Sequence, residues 1–158
     1  MASRSLDLVI LRHGEAEPYA GSDAQRELTE AGRLETEQQV QVLSELGFAP
    51  DEIIHSPFTR TCQTADICHA MFPNAQMKSH SSLMHSADVN QIPYLLNQQG
   101  SVLFVSHMPL VARIVNFFCP ETSIYGFGVS GFARMTIDLS DYSGTITHDA
   151  TRGIHGSI

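Results

Sequence analysis

The chain has 158 residues, with 17 acidic and 9 basic side chains and a formal net charge of -8. That balance argues against nucleic acid, whose binders carry basic patches that displace counterions from phosphate. Eight arginines and a single lysine, Lys78, offer no cluster for anionic lipid, and a chain with 42% hydrophobic and 16% charged residues is too apolar for intrinsic disorder.

Leu6 to Leu11 (LDLVIL) reads as a buried strand. Thr29 is placed to cap a helix running to about Leu46, with Gly47 just past its end and Ala31, Leu34, Val40, Leu43 and Leu46 as its inner face. Glu52 to His55 is a second short strand. Ser56 then reads as an N-cap and Pro57 as the first residue of a helix to about Met71, with Phe58, Cys62, Ala65 and Cys68 near one face. A weak strand is expected at Gln76 to His80, and a helix over Asp88 to Gln98 that Gly100 helps to end. Ser101 to Ser106 (SVLFVS) is the next strand. Pro109 opens a helix through Phe118, halted by Pro120. Phe132 to Leu139 and Thr145 to His148 are late strands at a sheet edge, and Ala150 to Ile158 is a loosely held tail.

Apolar strands alternating with helical patterns predict an α/β fold: three layers, with a mostly parallel central sheet between helices and late edge strands that run antiparallel. The length fits one domain over 1–158, with its core at about 6–149. No apolar run reaches the ~18–20 residues that span a bilayer, and the short run before Arg12 is too early for a signal peptide. Cys62, Cys68 and Cys119 are odd in number and lack a C-x-x-C pair, which suggests reduced thiols in a cytoplasm. Cys62 and Cys68 are expected to fill the core of one helix.

Three strand ends resemble one another. LVIL ends in Arg12-His13-Gly14, EII ends in His55-Ser56-Pro57 with Arg60 one turn on, and VLFV ends in Ser106-His107-Met108-Pro109. In a parallel sheet these ends share one edge, and ligands of open α/β folds bind in the crevice outside it. Helices opening there present free N–H groups to an anion, and arginine adds a planar fork that matches phosphate oxygens. A neutral imidazole is a competent nucleophile toward phosphorus, and a second imidazole, if protonated, can stabilise charge on the transferring group. Arginines do the same without a metal. His13, beside Arg12 and Gly14, is the best candidate nucleophile.

The motifs Leu11-Arg12-His13-Gly14-Glu15, Ser56 to Thr64 (SPFTRTCQT) and Ser106-His107 together resemble the histidine phosphatase superfamily, the phosphoglycerate-mutase-like fold. The resemblance runs from about residue 7 to residue 115, and the late strands fit it too. It implies that His13 is phosphorylated during turnover and that Arg12, Arg60 and His107 bind the phosphoryl group and stabilise its transition state. Arg26, in Arg26-Glu27-Leu28-Thr29, matches a further phosphate-pocket arginine. Within the superfamily the chain is most similar to the SixA-type phosphohistidine phosphatases, because it is short and because its stretches at Arg26 to Gly32 and Ser106 to Val111 resemble theirs. The usual carboxylic acid is missing: there is no Glu between Glu52 and Glu121, and Met108 follows His107 where another branch has aspartate. A phosphorylated imidazole leaves as a neutral ring once its free nitrogen is protonated, so the absence suits a P–N substrate better than a P–O ester. Asp88 and His85 are the candidate proton donors in the loop after Leu83.

The implied partner is a phosphorylated protein, such as a phosphohistidine-carrying domain, or a small phosphorylated metabolite. The competing readings are a phosphatase or mutase for small phosphate esters and a phosphoprotein-binding module. No cofactor is expected. Gly126 to Gly131 spells G-x-G-x-x-G, but it follows a helix and leads into a strand, so it reads as a crevice-rim loop rather than a dinucleotide fingerprint. The eight histidines lack H-x-H or H-E-x-x-H spacing, so no metal is expected. His55 either lines the crevice or fills space beneath it, and Glu15 orients its neighbours.

Overall fold

The computed structural model describes residues 4–96 and 100–154. Its strands are β1 (Ser5–Arg12), β2 (Glu52–His55), β3 (Gln76–Ser79), β4 (Gly100–Ser106), β5 (Phe132–Asp138) and β6 (Ser143–Ala150). The helices are α1 (Glu30–Glu45), α2 (Thr59–Met71) and α3 (Leu110–Phe118). The strands form one sheet in the order β3-β2-β4-β1-β5-β6. β1 to β4 are parallel, whereas β5 and β6 run antiparallel, as expected of the late strands.

Parallel strands covered on both faces read as continuous apolar runs. In β1, Leu6, Leu8 and Ile10 face one layer with α3, while Val9 and Leu11 face the other with α1 and α2. β4 divides in the same way, with Phe104 on the α3 side and Leu103 and Val105 on the α1/α2 side. This two-sided burial makes β1 and β4 the core of the sheet. Its register sets Arg12 opposite Ser106, and His55 opposite Val105. The ends of β1, β2 and β4 therefore lie level along one edge. β5 starts at that same edge and β6 ends there, because Phe132 pairs with Ala150.

Several expectations need correction. Leu34 is 54% exposed, and the buried face of α1 begins instead with Gly32, Thr36 and Gln39. The first half of this helix packs on backbone rather than on apolar side chains. α2 starts at Thr59, not at Pro57, because the Ser56 hydroxyl is committed to a local turn and to another side chain. The helix expected over Asp88 to Gln98 is a tighter 3-10 segment, Val89–Leu95, containing Pro93. Proline removes a backbone donor and clashes with the preceding turn, so an α-helix is not sustained there. Asn97 and Gln98 lie outside the described residues. The segment expected as a loose tail begins inside β6. Thr151 is buried, and its carbonyl accepts from the Gly128 N–H at 2.7 Å. Residues 155–158 lie outside the described residues. Among the described residues no helix is long and apolar enough to cross a membrane.

Candidate active site

The end of β1 is fixed on every side. The Arg12 N–H donates to Gly131 O at 2.9 Å and the His13 N–H to Ser106 O at 3.1 Å. The His13 carbonyl accepts from the Ser130 N–H at 3.0 Å, and the Gly14 N–H donates to Thr64 Oγ1 on α2 at 3.1 Å. Ser130 has a left-handed backbone, with φ of 58°. Thr36 and Gln39 of α1 hold its hydroxyl and carbonyl, which explains the polar inner face of that helix. The approach is close enough to require glycine. A Cβ on Gly14 would stand 2.5 Å from Thr36 Oγ1, and one on Gly32 would stand 2.2 Å from Glu15 O.

His13, Arg60 and His107 are all nearly buried, at 6%, 5% and 1% exposure. His13 Nδ1 lies 2.7 Å from Gly14 O. A carbonyl oxygen only accepts, so Nδ1 carries the proton and Nε2 keeps its lone pair. Arg60 Nε donates toward that Nε2 at 3.3 Å. Burial, then the positive charges of Arg12, Arg60 and Arg26, push the His13 pKa down to about 4 against the hydrogen bond to Gly14. The imidazole is therefore neutral at physiological pH.

The His107 ring lies edge-on to that of His13, with centroids 5.3 Å apart. Its Nε2 is 2.6 Å from Ser56 Oγ. A hydroxyl can donate to this nitrogen or accept from it, so Ser56 accommodates His107 in either protonation state. Burial, followed by His13, Arg60 and His85, pushes the His107 pKa down to about 3. The second imidazole is thus neutral at physiological pH. The Arg12 guanidinium is tied by Nη1 to Phe127 O at 2.7 Å. Arg12 Nε and His107 Nδ1 are buried and have no hydrogen-bond partner.

Of the two candidate proton donors, only His85 meets this group. Its ring stands 5.5 Å from that of Phe58 and 5.8 Å from that of His107. Phe58 in turn lies under the Arg60 guanidinium, 5.0 Å from its carbon. Asp88 instead caps the Val89–Leu95 segment, its Oδ1 accepting from the Asn90 N–H at 2.9 Å. Arg26 reaches the site indirectly. It and Arg60 share Asp23, a residue that sequence reasoning missed. Asp23 carries no periodic or motif signal, and its contact with Arg60 joins positions 37 residues apart. His55 hydrogen-bonds to Ser56 O at 2.7 Å and lies 3.8 Å from Cys62 Sγ, so it packs against the first turn of α2. Cys62 is consequently only half-buried rather than a core side chain. Glu15 accepts from the Thr29 hydroxyl at 2.8 Å. The Gly126 to Gly131 loop precedes β5, and Gly128 and Gly131 press on the backbone of Thr151 and Arg152. Among the described residues no three His, Cys, Asp or Glu side chains come together to hold a metal ion.

Comparison with known proteins agrees with this geometry. The family model described as histidine phosphatase superfamily (branch 1) matches residues 8–85. Phosphohistidine phosphatase SixA of Escherichia coli is 32% identical over 143 residues, covering 85% of this chain and 88% of that protein. A SixA homolog of Haemophilus influenzae is 33% identical over 164 residues, covering 95% and 99%. The solved structure of the protein histidine phosphatase SixA complexed with tungstate superposes with a TM-score of 0.86 at 28% identity, covering 92% of this chain and 97% of that one.

Proposed function

The chain belongs to the histidine phosphatase superfamily, and from that premise we propose that it removes the phosphoryl group from phosphohistidine on another protein, with His13 as the transient acceptor. One observation carries the reading. Among the described residues, the only buried side-chain nitrogen or oxygen atoms without a partner are Arg12 Nε and His107 Nδ1. An unsatisfied buried polar group costs about 1–3 kcal/mol; one of the two belongs to the residue next to His13 in the chain and the other to the ring that meets the His13 ring edge-on at 5.3 Å. A phosphoryl group set against His13 Nε2 would offer an acceptor to Arg12 Nε, and to His107 Nδ1 in the tautomer where Ser56 donates to its Nε2.

The chemistry follows from the site. Neutral His13 attacks phosphorus through Nε2, and the bond from phosphorus to the leaving nitrogen breaks. Arg12, Arg60 and His107 hold the equatorial oxygens, where charge builds in the transition state. Arg26 adds positive charge from behind Asp23. His85, rather than Asp88, is the proton donor at the mouth. Water then attacks the phosphorus on His13, releasing phosphate and the free imidazole. The phosphohistidine substrate is supported by the similarity to two SixA proteins over nearly their full length, and by an imidazole's ability to leave as a neutral ring. A reducing, cytoplasmic setting belongs to the same proposal, supported by three free cysteines.

The test is a substrate panel: a phosphohistidine-carrying protein, p-nitrophenyl phosphate and sugar phosphates. Phosphohistidine should turn over fastest, and His13→Ala should abolish both turnover and an acid-labile phosphoenzyme. Much faster ester turnover would assign the site to small esters. Tight binding without turnover would make it a binding module.

A further inference from the structure

Arg60 uses its guanidinium in two directions. Nε points toward His13 Nε2, while the far end is gripped twice by one residue. Nη1 donates to the Asp23 carbonyl at 2.8 Å and Nη2 to Asp23 Oδ2 at 3.3 Å. The other carboxylate oxygen, Oδ1, accepts from Arg26 Nη1 at 3.0 Å. Asp23 opens a three-residue 3-10 turn in the excursion between β1 and α1. That excursion is closed at its base by the Ala16–Leu28 bridge and by Gln63 of α2, whose Oε1 accepts from the Leu28 N–H at 2.8 Å. Arg26 is tied back by Nε to Glu17 O at 2.6 Å. The excursion is thus fastened to α2 at its base and to Arg60 beyond it.

A guanidinium is planar, and its donors lie in fixed directions. With the terminal nitrogens held by Asp23, the edge carrying Nε is the one left facing His13. Freed of that grip, Arg60 would swing about its flexible stem, and its donors would no longer stand where the phosphoryl oxygens must be. We infer that Asp23 is a positioning residue that acts through Arg60, fixing the edge of the guanidinium that meets the reacting phosphorus and tying Arg26 to the same task. The inference rests on the proposed phosphoryl transfer at His13. The carboxylate also lies close to where an anion binds, so two roles with opposite signs are separable. A positioning residue strengthens the binding of a phosphoryl mimic. A competitor for the arginines weakens it.

The experiment is a pair of double-variant cycles on the full chain, combining Asp23→Ala with Arg60→Ala and, separately, with Arg26→Ala, with Asp23→Asn alongside. Turnover is measured on the best substrate, and binding with orthovanadate. Asp23→Ala should lower kcat by about 10²-fold, the scale of a misplaced catalytic group, with a much smaller change in KM. Vanadate should bind more weakly in step. Every Asp23 variant keeps the backbone carbonyl that holds Nη1, and Asp23→Asn also keeps one side-chain acceptor, so it should fall between wild type and alanine. In the Arg60→Ala background, Asp23→Ala should change kcat by less than about 3-fold, because the residue it acts through is gone. Effects that multiply in the pair with Arg60→Ala, or that vanish in Arg26→Ala rather than Arg60→Ala, would overturn the inference. Tighter vanadate binding in Asp23→Ala would overturn it as well, making Asp23 a competitor. Full activity in Arg60→Ala itself would overturn the proposed chemistry, and that result is distinguishable from a failure of the Asp23 role alone.

Discussion

Holding His13 neutral has a measurable cost in acid. An exposed imidazole in the unfolded chain titrates near 6.5, whereas in the fold burial and three arginines push His13 down to about 4. Above pH 6.5 neither state is protonated, and the group contributes nothing to pH dependence. Between pH 6.5 and 4 only the unfolded chain takes up the proton, so stability falls as pH falls, and the loss is complete below 4. The size of that loss is about 3 kcal/mol. His107 continues the trend to about 3 and alone corresponds to about 5 kcal/mol. The two rings are in contact, so their losses are read by difference rather than added. Urea unfolding of wild type and His13→Ala from pH 7 to pH 4 reads the effect, and because His13 also helps to hold His107 low, the difference carries that coupling too. Wild type should lose about 3 kcal/mol more than the variant over that window. Parallel pH curves would refute the argument that burial keeps the His13 lone pair free.

Two further outcomes follow from the packing around the site. Gly32→Ala would stabilise an ordinary helix by about 0.5–1 kcal/mol, but here its Cβ meets the Glu15 carbonyl. It should instead destabilise by about 1–3 kcal/mol in chemical unfolding and lower kcat by displacing the loop that carries His13. Ser56→Ala leaves His107 Nε2 without its partner in a buried place. It should cost about 1–3 kcal/mol of stability, and turnover should fall more than substrate binding does.

The parts legible in the sequence share a cause. β1 and β4 are buried on both faces, so their apolar runs stand out, and parallel pairing carries the residues that follow them to one edge. His13, Arg60 and His107 were readable for that reason, each lying at or within a turn of a strand end. The illegible parts depend on contacts distant in sequence. Leu34 fits a helical stripe, but α1 meets the backbone of Gly14 and Glu15 and the hydroxyl of Ser130, so Gly32, Thr36 and Gln39 are buried instead. Asp23 sits in an irregular excursion and acquires meaning only once Arg60 is brought to it. Serine before proline signals a helix cap, whereas the Ser56 hydroxyl is shared between a local turn and His107. Pro93 is a local signal inside the expected helix, and the chain forms a 3-10 segment there instead.

The hydrogen bond from His13 Nδ1 to the Gly14 carbonyl has a regiochemical consequence. Histidine can carry a phosphoryl group on either ring nitrogen, and the two isomers differ in lifetime and in the reagents that detect them. With Nδ1 committed to the backbone at 2.7 Å, the proposed transfer to His13 would give the Nε2-linked isomer. The same bond spares the covalent state a deprotonation step, because the ring returns from phosphorylation with its original tautomer intact.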